Sequence, residues 1–425
     1  MINQKDNKKL AIEGGSPFVN KEFNLGATYF KEEKEAINQV IDSGVISGFV
    51  ANSGPKFFGG QKVIELERDF RNYFGTSFAV ASNSATSSLH CALASLGIGA
   101  GDEVIVPSVS MSATASAILM VGAKPVFIDI NKGIGKSCLC STCKEGKKGC
   151  FNIDVSQIKD NLTSKTKAIL VVHLFGKSAD MESIMNIADA NKLFVIEDCA
   201  QSPGTKFNNK FVGTFGDVGV FSFNQSKTIS SGEGGVAITN SERTALRMQL
   251  MRNHAEAMIE EFPDSQTEDL IGFNYRITEL EAAVAIEQFK RLNKFNLKKV
   301  ELANRFSERI ERIPGLQGLD YIRPSENAVF IYPLIFEKHK FKIQRNKFVD
   351  LCVSEGIPMV AAYTRPLTDL SIFKPFIGKR VFSNASELFK EILVTVKFCH
   401  HHNVTLSDID LLSDGLEYVV SKTLK

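Results

Sequence analysis

The amino-acid sequence predicts an α/β protein with a large, mostly parallel sheet, followed by a smaller C-terminal α+β domain. Two observations carry this prediction. Apolar runs of strand length recur through residues 77–240, with helix-period segments between them. Parallel strands buried on both faces read as unbroken apolar runs, and their crossovers are helices. Beyond residue 295 the pattern changes to charged, amphipathic segments around one apolar run.

The elements follow in order. "SFAVAS" (77–82) is a strand, and Leu89, Ala92, Leu93 and Leu96 then share one face of a helix around 86–96. "GAGDEVIVPS" (99–108) reads as turn, strand and loop. Further strands are "AKPVFIDI" (123–130), "KAILVVHLFG" (167–176), "LFVIED" (193–198), "VGVFSF" (218–223) and "GGVAITN" (234–240), with the helical "MESIMNIADANK" (181–192) among them. Segment 293–313 reads as a linking helix, "AVFIYPLIF" (328–336) as a strand, and helices are expected near 344–355 and 407–421. The expected domains are 1–295 and 296–425, the first with residues 1–25 as an arm and a cysteine-rich insert at 132–150.

Composition narrows the function. The 425 residues are 44% hydrophobic and 23% charged, ordinary for a globular chain with a normal core. Fifty basic and 48 acidic residues leave a net charge of +2, which argues against a nucleic-acid or membrane-surface footprint. The start, "MINQKDNKKLAIEGG", has no apolar signal core, and "AILVVHLF" (168–175) is far shorter than the ~20 residues a membrane helix needs. A cytoplasmic location is expected. Eight cysteines in this length are not a disulfide scaffold.

The candidate chemistry sits at predicted strand ends, where ligands of such sheets bind. Asp198 closes "LFVIED". A carboxylate there needs a cationic partner, such as a protonated pyridine nitrogen, or it caps the next segment. Ser84-Ala85-Thr86-Ser87-Ser88 lies between a strand and a helix, where hydroxyls and free amides bind phosphate or simply cap. In "FSFNQSKTISSGEGG" (221–235), Ser222 is a second phosphate hydroxyl. Lys227 is either an exposed loop charge or the working amine of a covalent catalyst. Together these groups make the set that pyridoxal phosphate requires: a phosphate cradle, an acid for the ring nitrogen and a lysine for the aldehyde.

The sequence resembles the DegT/StrS sugar aminotransferases, within the fold-type I pyridoxal phosphate enzymes. The resemblance rests on "GGQKVIELERDFRNYFG" (59–75), "SATSSLHCAL" (84–93), "VIEDCAQSPGT" (195–205), "GDVGVFSFNQSKTISSGEGGVAITN" (216–240), "RNHAE" (252–256) and "GFNYRITELEAAVA" (272–285). It implies that Lys227 binds the cofactor covalently and shuttles the proton. Asp198 would pair with the ring nitrogen, and Gln201 with the ring hydroxyl oxygen. Thr86, Ser222 and the amides around Ala85 and Ser87 would hold the phosphate. Asn274 would reach the phosphate from the other subunit of a homodimer with shared active sites. Two positions depart from the family pattern: Ala85 replaces a glycine, and Met111 replaces the aromatic that stacks on the ring. A thioether can pack on a π-face, though core packing would also suit Met111.

The resemblance further implies a ping-pong transfer of an amino group from glutamate or glutamine to a keto- or aldehydo-sugar, nucleotide-linked or a sugar acid. Tyr363 and Arg365 are candidates to meet that acceptor, or are surface residues. One rival is a pyridoxal-dependent sugar dehydratase with an iron–sulfur centre, but those relatives replace the lysine with histidine. Another is a non-catalytic regulatory protein on the same fold. The insert brings together Cys138, Cys140, Cys143 and Cys150, a spacing that suits zinc, or less well iron–sulfur, unless the thiols are free. His173 and His254 read as structural, "CHHH" (399–402) as a poor ligand set, and Gly133 and Gly135 as an incomplete nucleotide fingerprint.

Overall fold

The computed structural model describes residues 9–23, 27–131, 150–258, 270–319, 327–398 and 403–425. Five strands come first: β1 (Phe78–Ser82), β2 (Glu103–Pro107), β3 (Lys124–Ile128), β4 (Thr166–Val172) and β5 (Phe194–Asp198). A short hairpin, β6 (Lys206–Phe207) and β7 (Lys210–Phe211), precedes β8 (Val218–Ser222) and β9 (Gly235–Thr239). Seven strands form one sheet in the order β1-β9-β8-β5-β4-β2-β3. Every pair from β8 to β3 is parallel. Only β9 runs against its neighbours, β8 and β1. Residues 223–234 join β8 to β9 without a helix, and a connection that short returns the chain antiparallel.

Alternation along the strands feeds two cores. Ala79, Ala81, Ile105, Ile169 and Val171 pack with Leu66 and Phe70 of helix Gln61–Phe74 and with Ile286 of helix Glu279–Lys290. Val80, Val104, Val106, Ala168 and Leu170 face Leu89 and Leu93 of helix Ala85–Ser95 and Met248 of helix Glu242–Arg252. Successive strand residues point to opposite faces, so helices cover both sides of the sheet.

A second sheet holds β10 (Leu316–Gly318), β11 (Tyr332–Phe336), β12 (Met359–Ala361) and β13 (Leu393–Val396), all antiparallel in the order β10-β11-β13-β12. Helices Leu292–Ile310, Arg345–Ser354 and Leu406–Thr423 pack on it, each within a few residues of its predicted span. The N-terminal arm joins this smaller domain. Leu10 and Val19 are buried in its core, and the Ala11 and Phe18 amides donate to the Glu355 carboxylate at 2.6 and 2.8 Å.

The two domains meet closely at Gly176. Its φ is +84°, and a Cβ there would lie 1.2 Å from the Ala328 carbonyl oxygen, so only glycine fits. Ala328 N–H in turn donates to Gly176 O and Thr205 Oγ1. This junction fixes the small-domain segment that carries Phe330 beside the carboxyl ends of β5 and β8.

Candidate active site

A cleft of about 630 Å³ lies between the domains. Its large-domain wall carries Ala85, Thr86, Met111, Asp198, Ser222 and Lys227. Its small-domain wall carries Phe330, Val360, Tyr363, Thr395 and Lys397. Six predicted site residues therefore converge from four separate stretches of chain.

One end of the cleft is a helix N-terminus. Ser84 caps helix Ala85–Ser95, its Oγ accepting the Ser87 N–H at 3.1 Å. Ala85 and Thr86, the next two residues, line the cleft and leave first-turn amides without intrahelical partners. Ser87 is buried, does not line the cleft, and donates its hydroxyl to Asn83 Oδ1 at 2.6 Å. Gly235 backs this turn. A Cβ on it would come within 2.5 Å of the Ala85 nitrogen, which accounts for the last glycine of "GEGG" (232–235). Ser222, the last residue of β8, adds its hydroxyl from the neighbouring strand.

Asp198 ends β5 and is only 6% exposed. Thr114 Oγ1 donates to its Oδ2 at 2.8 Å, and the Ala200 N–H donates to Oδ1 at 3.1 Å. The Ser110 and Thr114 hydroxyls lie 2.9 Å apart and extend this shell. No helix follows Asp198 directly, so helix capping does not explain the carboxylate.

Lys227 sits in the turn after β8, its backbone N–H donating to Asn224 O at 2.8 Å. It is no exposed loop charge. Its ammonium lies 4.4 Å from the Phe330 ring centroid, a cation–π contact from the small domain. Burial lowers its pKa from 10.5 to about 8, with the Asp198 charge opposing the shift. A minority of this amine is therefore neutral near physiological pH, far more than for an exposed lysine.

Gln201 stands behind the cleft lining and is buried. Its Oε1 accepts the Phe175 N–H at 3.0 Å, and its Nε2 donates to the Tyr363 hydroxyl at 3.0 Å. Tyr363 follows Ala362, a buried residue at φ +64°, a left-handed conformation costly for alanine. Burial and the Asp198 charge push the Tyr363 hydroxyl well above its ordinary pKa, so it stays protonated.

Other expectations resolve differently. Met111 is 57% exposed at the foot of helix Ser112–Met120 and lines the cleft, so core packing does not explain it. Arg365 is exposed and outside the lining. Asn274 is exposed, also outside the cleft, and accepts from Arg276 Nε at 2.8 Å. His173 is structural. The Ala179 N–H donates to its Nδ1, so its Nε2 carries the proton and donates to Glu197 at 3.1 Å. Cys138, Cys140, Cys143, Gly133, Gly135 and residues 399–402 lie outside the described residues. Cys150 is buried. Phe330, Thr395 and Lys397 went unseen in the sequence because nothing local marks a strand end as facing a distant site.

A profile of the DegT/DnrJ/EryC1/StrS aminotransferase family matches residues 31–415. The chain belongs to the DegT/DnrJ/EryC1/StrS aminotransferase family. GDP-perosamine synthase of Escherichia coli O157:H7 is 35% identical over 282 residues, covering 66% of this chain and 69% of that protein. L-glutamine:2-deoxy-scyllo-inosose aminotransferase of Streptoalloteichus tenebrarius is 32% identical over 404 residues, 90% of this chain and 87% of that one. The solved aminotransferase of Psychrobacter cryohalolentis superposes with a TM-score of 0.81 at 25% identity, over 94% of this chain and 99% of its own. This DegT/DnrJ/EryC1/StrS aminotransferase thus has the fold-type I architecture expected of it. Among its described residues, no helix is long and apolar enough to cross a membrane.

Proposed function

We propose that this protein is a pyridoxal phosphate-dependent aminotransferase that moves an amino group from glutamate or glutamine to a sugar-type carbonyl. One observation carries the reading: Lys227, with a pKa near 8, shares a cleft with a buried strand-end carboxylate, Asp198. Family membership and the relatives named above, a GDP-sugar enzyme and an inosose aminotransferase, support the same class.

The residues fit the cofactor. Ala85, Thr86 and Ser222 are the groups to hold its phosphate, at a helix N-terminus whose first amides face the cleft. Asp198, held ready by Thr114 and Ala200, is the group to keep the ring nitrogen protonated. Met111, exposed at the cleft wall, takes the place of the stacking aromatic. Bound pyridoxal phosphate supplies the electron sink that makes a donor α-proton removable. Lys227, part of which is neutral at pH 7–8 because burial lowers its pKa to about 8, is the base to take that proton from the donor carbon. Phe330 and Tyr363 line the small-domain side. Lys227 also separates this reading from the dehydratase alternative, whose enzymes carry histidine there. Asn274, exposed outside its own cleft, suits the shared site of a homodimer.

The test is a visible spectrum of purified protein before and after L-glutamate or L-glutamine. A yellow protein bleached by one donor, with bleaching lost in Lys227→Ala, is expected. A colourless protein that stays colourless with added pyridoxal phosphate would sink the proposal.

A further inference from the structure

Lys397 follows β13 directly, and its backbone N–H donates to Pro358 O at 2.9 Å. Thr395 and Lys397 are two residues apart on an extended segment, so they share a face. That face is the small-domain wall of the cleft, and both residues line it. The Thr395 hydroxyl is committed to the Ala362 carbonyl at 2.8 Å. The Lys397 ammonium, among the described residues, has no carboxylate within ion-pair distance. The other charged groups lining the cleft are Asp198, Lys227 and Glu233. Glu233 is already engaged, accepting from Asn224 Nδ2 at 3.1 Å.

The small-domain wall is otherwise neutral: Phe330, Ile331, Val360, Ala361, Tyr363 and Thr395. The cofactor phosphate belongs to the opposite wall, so it does not account for the cation. We propose that Lys397 is a specificity residue that receives an anionic group, a carboxylate or a phosphate, on a substrate entering the cleft. This rests on the aminotransferase reading, which requires a carboxylate-bearing donor to enter this space and allows a phosphate-bearing acceptor. A half-buried ammonium facing a cleft with no acid beside it gains most when a ligand brings one. The flexible four-carbon stem lets one lysine meet anions at somewhat different depths, which suits a cleft visited in turn by two substrates.

The test measures binding to the cofactor-loaded protein and does not depend on turnover. Two unreactive probes separate the sources: glutarate for a donor carboxylate and pyrophosphate for an acceptor phosphate. Calorimetric titrations compare the natural protein with Lys397→Met and Lys397→Arg. At least one probe is expected to bind the natural protein, to bind Lys397→Met about 10-fold more weakly, and to recover in Lys397→Arg. Glutarate sensitivity alone assigns the donor; pyrophosphate sensitivity alone assigns the acceptor. Equal binding to natural protein and Lys397→Met, or no binding of either probe to the natural protein, overturns the proposal. The L-glutamate bleaching experiment is read separately, so failure of the aminotransferase reading is distinguishable from failure of this one.

Discussion

The Gln201 side-chain amide donates to the Tyr363 hydroxyl at 3.0 Å, tying the loop after β5 to the small domain. Both partners are held from behind. Phe175 N–H fixes the other end of the Gln201 amide, and the Phe175 and Tyr363 rings meet edge to face at 5.3 Å. Tyr363→Phe keeps the ring and removes only the acceptor. It should lower stability by about 1 kcal/mol, the worth of one hydrogen bond. It should also alter the absorption maximum of the bound cofactor, because Gln201 is then held only by the Phe175 N–H. Denaturant unfolding and a visible spectrum check the two effects, and an unchanged spectrum would remove Gln201 from the ring's surroundings.

Lys227 gives a pH dependence with a defined sign. Its folded pKa, about 8, lies below its unfolded value of 10.5. Between those values the unfolded chain binds the extra proton, so the lysine's contribution makes stability rise with pH. Below about pH 8 both states are protonated and the full penalty of burying the ammonium remains. Lys227→Met should therefore stabilise the cofactor-free protein at pH 7 by on the order of 2 kcal/mol, with the gain shrinking as pH rises from 8 to 10.5. Thermal melts across pH 7–10 measure it. A parallel assay of pyridoxal phosphate capture should show a rate rising with a midpoint near pH 8.

Much of this was legible in the sequence. All seven strands of the large sheet were marked by short apolar runs, because double burial leaves no polar alternation to confuse them. Lys227, Asp198, Thr86 and Ser222 were legible because strand ends at one edge of a parallel sheet must converge. The reversal of β9 was less visible, since strand direction depends on the connection and not on the strand. Tyr363 was only a candidate, because Ala362 gives no local sign of its left-handed backbone. Ser87 belongs to the predicted turn, with its amide and hydroxyl bonded to Ser84 and Asn83.

Thr114 positions Asp198 through a 2.8 Å hydrogen bond to a carboxylate that is 6% exposed. Thr114→Val is nearly the same size and removes that donor. Loss of a charge-assisted bond of roughly 1.5–3 kcal/mol leaves the carboxylate less firmly oriented toward the ring nitrogen. Pyridoxal phosphate should then be held about 10-fold more weakly than in the natural protein at the same pH. Dialysis followed by absorbance measures it.

Arg252 anchors β1 just before the turn at Ser84. It is buried, with Nη1 donating to Glu67 Oε1 at 2.6 Å and to the Ala81 carbonyl at 2.8 Å, while Nη2 donates to Phe58 O at 3.0 Å. Glu67 also accepts the Ala81 N–H at 2.8 Å, so the ion pair clamps the strand that leads into Ser84. Burial raises the Glu67 pKa, and Arg252 is the main group opposing that shift. Arg252→Met removes the opposition, leaving a buried carboxyl that must be charged alone or protonated. The expected cost is about 3–5 kcal/mol at pH 7. Because the folded Glu67 pKa then lies further above its unfolded value, the folded state binds the extra proton and stability should fall as pH rises above the ordinary carboxylate range. Adding Glu67→Gln should abolish that slope and restore part of the loss. A double mutant that keeps the slope would show that another carboxyl carries it.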